Sequence, residues 1–123
     1  MATPIALKTG TAAVLNFSKV DNMVSVELNP DGLANGKMGW VRMFEMNAAG
    51  FGNSSPVSVD LTSALTNYKN AGCTTVTLCI VLSNWGGPGN CVGGLNWTGG
   101  SQAISVTNVA PYTSTQLCYV LTL

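Results

Sequence analysis

Along most of this chain apolar side chains recur every second residue, the period of an extended strand. Residues 23–29 are the plainest case. Val24, Val26 and Leu28 fall on one side, while Ser25, Glu27 and Asn29 fall on the other, as in a half-buried strand. Residues 73–83 differ: Val76, Leu78, Ile80 and Leu82 alternate with Thr75, Thr77, Cys79 and Val81, and neither side carries a charge. β-branched residues dominate and no Gly or Pro interrupts, which predicts a central strand covered on both faces. Residues 12–20, 37–48, 56–61, 103–109 and 116–123 complete a set of about seven or eight strands. The period changes once. Leu61, Leu65 and Tyr68 have helical spacing, which predicts a short helix over 62–71, with Asp60 or Thr62 to cap its start and Gly72 to end it.

Turn signals punctuate the rest. Asp21-Asn22, Pro30-Asp31-Gly32, Asn35-Gly36 and Pro111-Tyr112 each combine residues that preset or tolerate turn backbone angles. Residues 1–11, broken by Pro4 and Gly10, read as an irregular N-terminal arm. Residues 84–100 are rich in glycine, hold two of the three tryptophans, and read as one long loop launched by the central strand. Short strands at regular spacing with a single helical insert predict an all-β fold. The expected form is an antiparallel β-sandwich or single jelly roll, as one domain over 1–123.

Composition narrows the chemistry. Hydrophobic residues make up 46% of the chain and charged residues 8%, against about 25% charged in an ordinary soluble domain. The five basic residues, Lys8, Lys19, Lys37, Arg42 and Lys69, are scattered and balanced by five acids. Nucleic-acid binding, which needs clustered cations, is therefore not expected. There is no histidine, so Ser-His and Cys-His nucleophile pairs are excluded. Asp31 and Asp60 are explained by a turn and a helix start, Glu27 by an exposed strand side, and Glu45 by pairing with Arg42 or Lys37. No enzyme, cofactor or metal site is expected. Nor is a membrane span, or a signal peptide at the N-terminus. The four cysteines read as buried free thiols of a chain made in the cytoplasm; a cross-strand bridge between Cys79 and Cys118 is the alternative.

The remaining suspects are aromatic. Trp85 and Trp97 stand within the glycine-rich stretch beside Asn84, Asn90 and Asn96, with Gln102 nearby, and Trp40 lies in an apolar strand segment. Such residues make hot spots at protein interfaces, and aromatic faces with amides also hold sugars; otherwise each Trp plugs an end of the sandwich. Low charge and the lack of a catalyst favour a structural assembly protein. It would be a small capsid, capsid-decoration or tail-associated subunit contacting itself and other subunits of a virion or other extracellular assembly. The alternative is a carbohydrate-binding module or lectin using the 84–100 loop.

Overall fold

The structure, a computed structural model, describes residues 3–7, 10–31, 41–47 and 57–123, with backbone alone for 31 and 41–47. In chain order its elements are β1 (Thr3–Ala6), β2 (Ala13–Val20), β3 (Met23–Asp31), β4 (Val41–Asn47), β5 (Val57–Asp60), α1 (Thr62–Asn70), β6 (Thr75–Asn84), β7 (Cys91–Trp97), β8 (Gly100–Val106) and β9 (Thr113–Thr122). The strands form a five-stranded sheet in the order β1-β9-β6-β3-β4 and a four-stranded sheet in the order β5-β2-β7-β8. One apolar cluster, including Leu15, Phe17, Val26, Leu78, Ile80, Leu95 and Ile104, draws on both sheets, so the fold is a β-sandwich. Two consecutive pairs, β3-β4 and β7-β8, each lie side by side in one sheet.

Strand β6 is central, as its sequence implies, with β9 on one side and β3 on the other. Val76, Leu78, Ile80 and Leu82 are wholly buried in the core. The expectation that both its faces are covered is overturned: Thr75, Thr77 and Val81 on the opposite side are only half-buried. Cys79, also on that side, is disulfide-bonded to Cys118, its direct register partner on β9. Cys73 and Cys91 are buried and form no disulfide, so two of the four cysteines expected as thiols are bridged instead.

The N-terminal arm is not irregular. Thr3–Ala6 pairs parallel with β9, so the sheet is mixed and the fold is not purely antiparallel. Ile5 and Leu7 drive this docking by burying their side chains, and Leu7 N donates to Thr122 O at 3.0 Å. Pro4, which lacks an N–H, is tolerated because β1 is an edge strand. With β1 and β7 included, the described strands number nine, above the expected seven or eight. Pro30 and Asp31 do not begin a turn. They extend β3 opposite Val76 and Thr75, past Leu28, the last β3 residue paired with β4, where a missing N–H is cheap. Ser25, expected to face outward, is buried.

The helix forms where expected and carries the chain from β5 in one sheet to β6 in the other. Leu61 and Leu65 anchor it in the core. Asp60 Oδ1 accepts from Thr62 N at 2.9 Å, satisfying one orphan donor at the helix start. At the other end Gly72, at φ +99°, closes a paired motif: Gly72 N donates to Lys69 O at 3.0 Å and Cys73 N to Tyr68 O at 2.9 Å. The expected strand over 37–48 is described only as β4. The Asn35-Gly36 turn and Trp40 lie outside the described residues, as do the side chains of Glu45 and Arg42.

Candidate functional site

The 84–100 stretch is not one loop. Its second half is β7, which pairs with β2 and β8, and only residues 85–90 connect it to β6. Glycine makes this possible by removing side chains where backbones meet. A Cβ on Gly93 would overlap the Asn16 carbonyl oxygen and stand 2.9 Å from Phe17 Cα, at the point where the β2-β7 register shifts between Phe17 and Lys19.

This topology separates the two tryptophans. Cys91 at the start of β7 pairs with Val20, and Trp97 at its end pairs with Ala13. Trp85 lies beyond the first end, where its N–H bonds the Asn22 side chain at 2.8 Å. The length of β7, roughly 20 Å at 3.3 Å per residue, stands between them. Trp85 and Trp97 therefore do not line one small-ligand cleft together. Trp97 is partly buried against the core, its indole lying over Gly100, where an added Cβ would meet the ring at 2.7 Å. It plugs the β7-β8 hairpin. Asn96 is exposed on the outer face of the four-stranded sheet, between Val14 and Ser101 in register.

At the Trp85 end, the asparagines hold the fold together. Asn84 is buried. Its Nδ2 donates to Gly87 O at 3.0 Å and Val109 O at 2.8 Å, and its Oδ1 accepts from Gly86 N and Asn22 Nδ2, both at 2.8 Å. Asn22, buried at φ +82° in the β2-β3 turn, reaches Gly86 O at 2.6 Å and Pro88 O at 2.8 Å as well. Asn90 Nδ2 donates to Asp21 Oδ2 at 2.9 Å, and its Oδ1 accepts from Asn108 N at 3.1 Å. Lys19 Nζ stands 3.6 Å from the same buried Asp21 oxygen. Together these side chains knit the β2-β3, β6-β7 and β8-β9 connections into one polar knot, with buried groups mutually satisfied. Cys91 lies beside it. Burial first, and the Asp21 carboxylate second, push its thiol up to about 12, so at neutral pH it packs as a thiol and is no nucleophile.

On this rigid base stand Trp85, 56% exposed, and Tyr112, 79% exposed, the large hydrophobic side chains most open to solvent among the described residues. They flank a cleft of about 220 Å³ whose other walls are Ser83, Asn84, Thr113 and Ser114. Tyr112 is the functional candidate that sequence reasoning missed, taking Pro111-Tyr112 only as a turn. The turn is there, with Thr113 N donating to Ala110 O at 3.2 Å. Its third position is held at φ +64°, where Gly or Asn is usual. A bulky ring placed there was the signal.

Comparison with family models, with curated proteins and with solved structures returns no match in any of the three. Among the described residues no helix is long and apolar enough to cross a membrane.

Proposed function

We propose that the chain is a structural assembly protein that works through protein–protein contacts in a symmetric oligomer, as the subunits of a capsid, its decoration or another extracellular particle do, and catalyses no reaction. The observation that carries this reading is the outer face of the β5-β2-β7-β8 sheet. In register across it run Ser58, Asn16, Gly94 and Ala103, and the next row carries Asp60, Val14, Asn96 and Ser101. The first row is small or amide-bearing and uncharged; Asp60 stands at the β5 edge of the second, and Lys19 opposite Val92 in the row on the other side. A sheet face that is open yet uncharged over its middle matches the charge-depleted core of an interface with a polar, charged rim. Strand β8 adds an edge with no Lys, Glu or Pro to discourage pairing with another chain. Two copies joined through this face would bury the same patch on both, as closed two-fold assemblies do.

Size-exclusion chromatography with light scattering tests it. The purified chain is expected to run as an oligomer. Ala103→Glu, which adds a charge at the exposed β8 end of this uncharged row without touching the core, is expected to give folded monomers with an unchanged circular dichroism spectrum. A wild-type chain that stays monomeric at every concentration overturns the reading, as does an Ala103→Glu oligomer indistinguishable from it.

A further inference from the structure

We propose that the cleft between Trp85 and Tyr112 binds a single neutral sugar ring. It belongs to the other sheet, at the end of β6 and β9, so sugar binding and self-association can succeed or fail separately. Three features carry the proposal. The first is the wall chemistry. Two exposed aromatic faces present negative π surface to the C–H face of a pyranose, and the hydroxyls of Ser83, Thr113 and Ser114 both donate and accept, as sugar hydroxyls require. Thr113 spends its proton on Ala110 O at 2.7 Å, which leaves its oxygen as an acceptor. Among the described residues no charged side chain lines the cleft, which favours a neutral ligand.

The second feature is size. At about 220 Å³ the cleft falls below the roughly 300–1,000 Å³ of sites that enclose drug-sized ligands, and fits one ring or the end of a chain.

The third is preorganisation. A tyrosine at φ +64° is strained, and such strain persists where surrounding structure over-determines it. Here Tyr112 N donates to Asn84 O at 2.6 Å, and Asn84 is itself fixed by the buried amide knot. Gly86, at φ +141°, lets the chain pass beneath the Tyr112 hydroxyl, 3.8 Å from where its Cβ would be. The backbones that carry the two rings are thus fixed, which lowers the ordering cost of binding.

The test is a titration of tryptophan fluorescence with glucose, galactose, mannose and N-acetylglucosamine, alongside a printed glycan array. At least one of these sugars is expected to bind saturably, with a millimolar constant. Trp85→Ala is expected to weaken that binding at least ~10-fold. Tyr112→Gly, which accepts the left-handed backbone and so keeps the fold, is expected to do the same, while Trp97→Ala leaves it intact. Running Ala103→Glu in parallel keeps any failure of self-association apart from failure here. No saturable binding to any sugar by the folded wild-type chain overturns the proposal. So does Tyr112→Gly binding like wild type, or a protein ligand held by Trp85 and Tyr112 that no sugar displaces.

Discussion

Gly93 and Gly94 are neighbours in β7 with opposite tolerances, and the difference isolates what a single missing side chain does in this fold. Neither has left-handed backbone, so space alone decides. An added Cβ at Gly93 would overlap the Asn16 carbonyl oxygen, a backbone atom that moves only if β2 moves, whereas at Gly94 the nearest atom is Gln102 O at 3.4 Å. Gly93→Ala is therefore expected to destabilise the chain by about 2–3 kcal/mol, the range of overpacking in a fixed environment. Gly94→Ala is expected to change stability by less than about 0.5 kcal/mol, as outward-facing substitutions do. Urea denaturation midpoints at unchanged slope measure both; equal effects would mean that the approach of β7 to β2 does not depend on glycine. Gly89 belongs with Gly93, since a Cβ there would stand 2.5 Å from Val109 O and 2.7 Å from Asn84 Nδ2. These glycines, with Asn22 and Asn84, hold the base on which Trp85 and Tyr112 are displayed.

Helix α1 shows how a local signal becomes a pH-dependent contribution. The Thr62 backbone N–H first, and the Thr62 hydroxyl second, hold the Asp60 carboxyl below its usual range. Asp60 thus binds its proton more weakly in the folded chain than in the unfolded one. Its stabilising effect is complete above the unfolded value, near ~4, and is lost as pH falls through the lowered folded value. Asp60→Ala is expected to melt below wild type at neutral pH, with the gap closing in acid; a pH-independent gap would show that the carboxylate charge is irrelevant. This helix was legible because caps, spacing and the closing glycine are all within a dozen residues, and β3 and β6 were legible for the same reason. The Cys79–Cys118 bridge could be read as an alternative because both residues fall on the less apolar side of their strands. What could not be read depends on distant partners. β1 pairs with β9, from the far end of the sequence, so Pro4 and Gly10 looked like breakers of structure. β7 carries Gly93 because of what β2 places beside it, and with Gly94 next to it the alternation is erased. The candidate site was half legible: Trp85 was singled out, but its separation from Trp97 and its partnership with Tyr112 arise only when β6 pairs with β9 in one sheet and β7 with β2 in the other.

Across the whole molecule the scarcity of charge predicts how it responds to salt. Formal net charge is zero with five residues of each sign, and Lys19–Asp21 is the one ion pair among the described side chains. Raising sodium chloride from low concentration to 1 M shrinks the Debye length to about 3 Å and removes interactions between exposed charges, while leaving apolar and short hydrogen-bonded contacts in place. An oligomer joined through the Asn16, Gly94 and Ala103 face should therefore survive 1 M sodium chloride, and its melting temperature should move little. Sodium sulfate, which is excluded from protein surface, should tighten it. Assembly through complementary charged patches behaves the other way and dissociates as salt rises. Light scattering at low and high salt thus separates the two kinds of contact without any mutation. Dissociation in sodium chloride would place the contact at Lys19, Asp60 or another of the few charged residues, and would remove the uncharged sheet face from the argument.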